Sequence, residues 1–258
     1  MKFVKLENFG EIVQAVSTRK EGMSEDGYET LNLAFHTGDN PDKVLINREL
    51  MCNRLNIPLD CLVTAKQVHG TNVAVIKKDG WGQGSEDYES AVEATDAMIT
   101  GAPQIYLMVL IADCCAVVYY DPVKKVVGVV HAGWRSSLGG ISGKVVEKMK
   151  EAFKSKPENI ICGIAPSMGP CCCEVGEDVA KSFAGQGFSP ANNCIETRDG
   201  KSFLNLWEIN RRQLIDSGIK DENIEVARLC NSCHTDLFYS FRKEDKTGRY
   251  AVLIGRRE

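Results

Sequence analysis

Three stretches of the sequence end an apolar run on a side chain that can ligate a metal. TAKQVHG stops at His69 and turns at Gly70, IYLMVLIADCC stops at Asp113, Cys114 and Cys115, and VVGVVHAGWRS carries His131 out of a run of valines. His131 shares a strand face with Val127 and Val129, where an imidazole has little use unless something meets its nitrogen. Two imidazoles and a thiolate at strand ends are what zinc takes from a protein when a fourth position stays open to water or substrate. The three lie far apart in the sequence with no local metal signature, so spacing alone leaves the plainer alternative standing: a loop histidine and a core thiol.

A second candidate is cationic. Pro41 behind Asn40 is a first-turn proline after a good cap, and it opens a helix over 41–56. On that helix Val44, Arg48, Met51 and Leu55 fall on one face, which sets a guanidinium in an apolar stripe. Such an arginine either snorkels to water or turns inward and must be paired, and its fork of donors suits phosphate bidentately. Lys66, shortly before His69, adds charge there or is a solvated strand residue.

Strand-like runs at 11–16, 61–68, 72–77, 105–111, 116–120, 125–131, 159–165, 224–229 and 250–254 position these groups. Leu138, Ile141, Val145, Met149 and Phe153 recur at helical spacing directly after HAGWRS, and VGEDVAKSFA and FLNLWEINRRQL supply two more helices. Many strands, several adjacent and expected to be antiparallel, with helices interspersed irregularly, predict an α+β fold: layered mixed sheets flanked by helices, one domain over 1–258.

Composition narrows the partners. The net charge of −4 gives no basic stripe, so nucleic-acid binding has no electrostatic footprint. IYLMVLIA is far too short to cross a bilayer, and the N-terminus turns charged within six residues, so the chain is read as cytoplasmic. Eleven cysteines in a reducing compartment predict no structural disulfides; Cys52, Cys61, Cys162 and Cys194 sit in apolar neighbourhoods and are read as core. Cys171, Cys172 and Cys173, with Cys230, Cys233 and His234, are not expected to share a metal, because a run of three cannot all face one point.

Taken in order, QVHG, ADC followed by a short apolar strand and DP, HAGWR, GPCCCEVG and DLFYSFRK with TGR, together with NLAFHTGDNPDKVLINR, resemble the laccase-domain family, long labelled multicopper polyphenol oxidoreductase. The resemblance covers essentially the whole chain. It implies one zinc bound by His69, Cys114 and His131, with Cys114 rather than Cys115 as ligand because it directly follows Ala112-Asp113. It also implies that Arg48 of the NR pair lines the pocket as a phosphate clamp, and that Asn32 of LNLAFHTGD is a pocket residue; an Asn in so turn-rich a stretch also serves to cap backbone. The sequence departs from the family pattern at Ala116, where a proline is usual, and at Cys173, where an aromatic is usual.

The copper label fails on ligand count. A multicopper oxidase needs several ions and many imidazoles, typically as His-x-His pairs, whereas this chain has four histidines and no such pair. The resemblance implies instead phosphorolysis of adenosine, inosine, guanosine or methylthioadenosine with inorganic phosphate as co-substrate, and adenosine deamination at the same site, by a monomer or weak homodimer. Two other classes stand as alternatives: a cysteine hydrolase that uses the same residues, with Cys114 as nucleophile and His131 as base, and an editing or quality-control factor for cell-wall precursors, hydrolytic or merely binding.

Overall fold

The computed structural model describes residues 1–257. Its centre is a six-stranded mixed sheet in the order Ile224–Val226, Ile161–Ile164, Cys115–Asp121, Val126–Ala132, Ala97–Thr100, Val73–Val75. A four-stranded sheet, in the order Ile12–Val16, Tyr250–Arg256, Tyr106–Ile111, Leu62–Val63, packs on one of its faces. Side-chain alternation explains the stacking. Leu107, Val109 and Ile111 meet Val118, Val127 and Val129 between the sheets, while Met108 and Leu110 point the other way, into a cluster with Met51 and Cys52 of the helix Pro41–Leu55. On the far face of the large sheet, Val117, Tyr119 and Val130 pack against Val145 and Met149 of the helix Ile141–Phe153 and Ile209 of Leu206–Asp216. The order of layers is therefore helix, sheet, sheet, helix. A strand buried on both faces reads as a continuous apolar run, which is why IYLMVLIA and the valine run lack alternation.

The expected α+β layering is present, and several boundaries differ. The helix at 41–56 is capped as foreseen, with the Asn40 side chain accepting from Asp42 N. The helix after HAGWRS is two: Trp134–Leu138 and Ile141–Phe153, separated by Gly139 and Gly140, the latter at φ 74°. The strand expected over 61–68 shrinks to Leu62–Val63, because beyond it Thr64 N and Lys66 N pair with carbonyls of Gln83 and Val92 in a loop. The sheets are mixed, as expected: Val73–Val75 with Ala97–Thr100, Ile224–Val226 with Ile161–Ile164, and Leu62–Val63 with Tyr106–Ile111 pair in parallel, and neighbours such as Cys115–Asp121 and Val126–Ala132 pair antiparallel. Ala97–Thr100 has no counterpart among the sequence-predicted strands; its apolar run is only Ala97-Met98-Ile99. No helix is long and apolar enough to cross a membrane among the described residues.

Candidate active site

The same alternation that builds the layers aims the ligands. Cys114 and His131 have the parity of the inter-sheet side, with Ala116, Val118, Val127 and Val129, whereas Cys115 has the parity of the helix side, with Val117 and Tyr119. Burial pushes the Cys115 thiol up to about 12, so it stays a protonated core group. Where the two sheets part, the sequence-predicted trio meets: one ligand atom from each of His69, Cys114 and His131 lies within 4.8 Å of the others. Cys114 Sγ stands 3.8 Å from His69 Nε2, and the two imidazole rings meet edge to face with centroids 4.7 Å apart. Gly133 lets them approach, since a Cβ there would lie 2.9 Å from His69 Cδ2 and 3.1 Å from Cys114 Sγ.

Asp96 holds the trio from behind. It is buried, and its Oδ1 accepts from His131 Nδ1 at 2.8 Å and from His69 N at 2.9 Å, while Oδ2 accepts from Gly70 N and Val68 N. One carboxylate thereby fixes the His69 turn, in which His69 takes φ 58°, and the His131 ring. With Nδ1 engaged by Asp96, Nε2 of His131 is left for the cleft, the arrangement by which a carboxylate orients a metal-binding histidine. Burial pulls the His131 imidazole down, but Cys114 and Asp96 outweigh it and raise it to about 9. Burial likewise pushes the Cys114 thiol up, but His131 and His69 overcome this and bring it to about 6. A thiolate beside two imidazoles is a donor set that zinc accepts, and the 3.8 Å between Cys114 Sγ and His69 Nε2 is close to the tetrahedral ligand spacing of about 3.5 Å expected from zinc bond lengths.

The trio opens into a cleft of about 680 Å³, within the usual size of a small-molecule site. Its apolar wall includes Val175, Val179 and Leu206, and its charged rim carries Arg135, Arg242 and Arg249. Asp113, next to Cys114, is engaged on both oxygens: Asn231, Ser232 and Ser240 side chains and Arg242 N all donate to its carboxylate. It clamps the loop that carries Phe241 and Arg242 to the cleft.

The other sequence-predicted residues are not among those lining the cleft. Asn32 is fully buried; its amide donates to Ala34 O, Thr37 Oγ1 and Asp39 Oδ2 and accepts from Ala34 N and Arg249 N, so it holds a turn. Lys66 pairs with Glu93 at 3.1 Å and Glu89 at 3.5 Å. Arg48 did turn inward, but it lies behind Phe35, 4.3 Å from the ring centroid, and donates Nε to Leu33 O and Nη1 to Gly84 O and Ser85 O. Burial lowers it to about 9, which still leaves it cationic at neutral pH. Its Nη2 has no partner among the described residues.

Five residues of the site had no role assigned from sequence: Asp96, His36, Arg135, Arg242 and Arg249. All but Asp96 lie inside the motif strings quoted above, and the signal for Asp96 was a carboxylate directly ahead of the buried run Ala97-Met98-Ile99. His36 lines the cleft, and burial, followed by Arg249 and Arg48, depresses it to about 4.

Residues 13–257 match the family described as multi-copper polyphenol oxidoreductase laccase. The chain belongs to this family. Among its relatives is a Bacillus subtilis protein named purine nucleoside phosphorylase YlmD, 34% identical over 98% of this chain and 91% of that protein. Another, from an unknown prokaryotic organism and named adenosine deaminase RL5, is 33% identical over 95% of this chain and 94% of its own length. The crystal structure of the Bacillus licheniformis hypothetical protein YfiH superposes with a TM-score of 0.93 at 32% identity, covering 97% of this chain and 94% of that one. Two imidazoles and one thiolate make the ligand set of a single ion, so this laccase-family chain offers no multicopper centre at the cleft.

Proposed function

We propose that the protein is a zinc-dependent purine nucleoside phosphorylase, using inorganic phosphate on adenosine, inosine, guanosine and methylthioadenosine, that also deaminates adenosine in the same cleft. The observation that carries this reading is the His69–Cys114–His131 trio, oriented by Asp96, at the floor of an arginine-rimmed cleft of nucleoside size. Relatives named for each of the two reactions, aligned over nearly the whole chain, supply the substrate class. Neither is named for cysteine hydrolysis or cell-wall editing. We place the enzyme in the cytoplasm, where such metabolites are found.

Zinc held by His69, Cys114 and His131 supplies Lewis acidity at the cleft floor. The chain's own residues do the rest. Phosphorolysis requires an anion beside C1′ of the ribose while the C1′–N9 pair leaves with the purine. Arg249 is placed to hold that anion: it lines the cleft, is tied by Nη1 to Thr247 O and Gly248 O, and retains its other donors. His36, also in the cleft, stays neutral at pH 7 and has one ring N–H to offer without adding charge. Arg48, with Nη2 uncommitted, backs this cationic edge and fixes the chain at Leu33 and at Gly84–Ser85. Phe241, exposed at the rim with the Arg249 guanidinium 5.6 Å from its ring, offers a face on which a purine can stack.

The test is to incubate purified protein with adenosine and follow adenine plus ribose 1-phosphate separately from inosine. Adenine release must scale with phosphate and inosine release must not. Turnover of neither product by zinc-loaded, folded protein sinks the proposal.

A further inference from the structure

A second group of ligands lies outside the cleft, where the sequence argued against one. Cys171, Cys172, Cys230 and Cys233 place their four Sγ atoms within 4.8 Å of one another, with Cys233 Sγ 3.6 Å from that of Cys171 and 3.5 Å from that of Cys172. The objection that three consecutive cysteines cannot converge is met by using two. A tight turn, in which Cys172 N and Cys173 N both donate to Gly169 O, brings the Cys171 and Cys172 thiols to one side, while Cys173 is buried and lines the cleft. Opposite, a single 3-10 turn over Asn231–Cys233 brings Cys233 beside Cys230. A bridge between Ser167 and Cys230 joins the two segments, and Gly169 N donates to Cys230 Sγ at 3.3 Å.

We propose that these four cysteines bind a second zinc ion, a closed four-thiolate site distinct from the one in the cleft. Zinc–sulfur bonds of about 2.3 Å around a tetrahedron put sulfurs about 3.8 Å apart, close to the separations found. All four ligands come from protein, which leaves no open position for water, the mark of a structural rather than a catalytic ion. Four thiol protons leave as the ion enters, and no oxidation is involved. The Gly169 amide, which donates to Cys230 Sγ, offsets part of the charge of four thiolates around one dication. The ion would tie together two loops that both continue into the cleft wall: Cys173–Gly176 on one side, and on the other the chain that runs from Asn231 through the Asp113 clamp to Arg242.

The site rests on its own residues, so zinc is counted in untagged protein and in two double variants. Cys171→Ser/Cys172→Ser, at half-buried or exposed positions, is expected to hold about one zinc fewer per chain than the parent, and His69→Ala/His131→Ala is expected to retain about one. Cobalt(II) in the histidine variant should show intense thiolate-to-metal charge transfer. Failure of the cleft to bind zinc would lower the parent's count without touching the loss caused by the cysteine variant. The proposal is overturned if the cysteine variant, folded by a cooperative melt, carries as much zinc as the parent. It is equally overturned if mass spectrometry of fresh parent protein finds a disulfide among the four.

Discussion

Cys114 and Cys172 are both half-buried thiols within reach of other ligands, yet their settings share little. Cys114 is held by the ends of strands in the middle of a layered core, and a buried carboxylate behind it fixes both histidine partners. Cys172 is held by a turn, opposite another turn, against the edge of the core, and the other possible ligands beside it are all thiols. The first setting supplies three ligands and a cavity; the second supplies four ligands and none. A reactive centre needs an open position and precise support, while a brace needs only closure.

The sharpest way to break this contrast is to remove a ligand from the cleft. His69→Ala, Cys114→Ala and His131→Ala should each lose one metal ion and at least about 100-fold in both reactions, because two protein ligands are too few to hold the ion. Cys115→Ala should keep both metal and activity, since its thiol faces the helix layer. A Cys114→Ala protein that is inactive but fully metallated would transfer support to the nucleophilic-cysteine alternative.

Asp96 is the next largest effect. Asp96→Asn keeps one acceptor oxygen where the carboxylate served the His131 ring and the backbone N–H groups of Val68, His69 and Gly70, and should weaken cleft metal binding by about 10–100-fold, measured by chelator competition, while the four-cysteine site is unchanged. The metal-free protein gives a pH signature of the same region. His131, raised to about 9, contributes stability that is complete below its unfolded value near 6.5 and is lost as pH rises through about 9. Cys114, lowered to about 6, contributes stability that is complete above the ordinary thiol range and is lost as pH falls through about 6. The thiolate–imidazolium pair therefore exists between these limits, and alkylation of Cys114 in chelated protein should become half-maximal near pH 6. An onset near the ordinary thiol range would remove the pair.

Legibility in the sequence followed the same division. The ligand trio was visible because each member ends an apolar run, and parity along the strands decides that Cys114, not Cys115, faces the gap between sheets. The helix carrying Arg48 was visible from its cap and stripe, but periodicity places a side chain on a face and says nothing of whether backbone carbonyls or a substrate lie there. Ala97–Thr100 was hidden because four residues buried on both faces show no period, and Asp96 went with it. The four-cysteine group is not legible from the run itself: the three cysteines do not converge, and the turn that sets Cys171 and Cys172 apart from Cys173 leaves no mark in the sequence pattern.

Arg249 and Arg48 sharpen the comparison within the cleft itself, with a smaller effect. Arg249→Ala should raise the phosphate KM at least about tenfold, the worth of one charge-assisted contact, with adenosine deamination changed much less. Arg48→Ala strands the Leu33 and Ser85 carbonyls in the interior, while Gly84 O keeps the Thr64 hydroxyl, and should cost about 2–4 kcal/mol of stability, read from denaturant melts. Arg48→Lys separates the roles. If Nη2 serves the anion, the lysine variant loses phosphate affinity while staying folded. If phosphate dependence is unmoved in Arg48→Lys and lost in Arg249→Ala, Arg48 belongs to the fold and Arg249 alone holds the anion.

The smallest expected effect comes from the distant brace, and it tests whether the two regions are coupled at all. Cys171→Ser/Cys172→Ser leaves the trio, Asp96 and the arginines in place, so the chemical step should proceed at nearly the parental kcat. What changes is the freedom of the loops bearing Val175 and Phe241, which line the cleft. Ordering that wall on binding then costs entropy that the ion had already removed, on the order of 1 kcal/mol per residue fixed, shared over a few residues that are partly held by Asp113. The nucleoside KM should accordingly rise about two- to fivefold, and the melting midpoint should fall by a few degrees. A kcat loss as large as that of His131→Ala would mean that the two thiol clusters are one site in energetic terms, and that the division between an open centre and a closed brace is false.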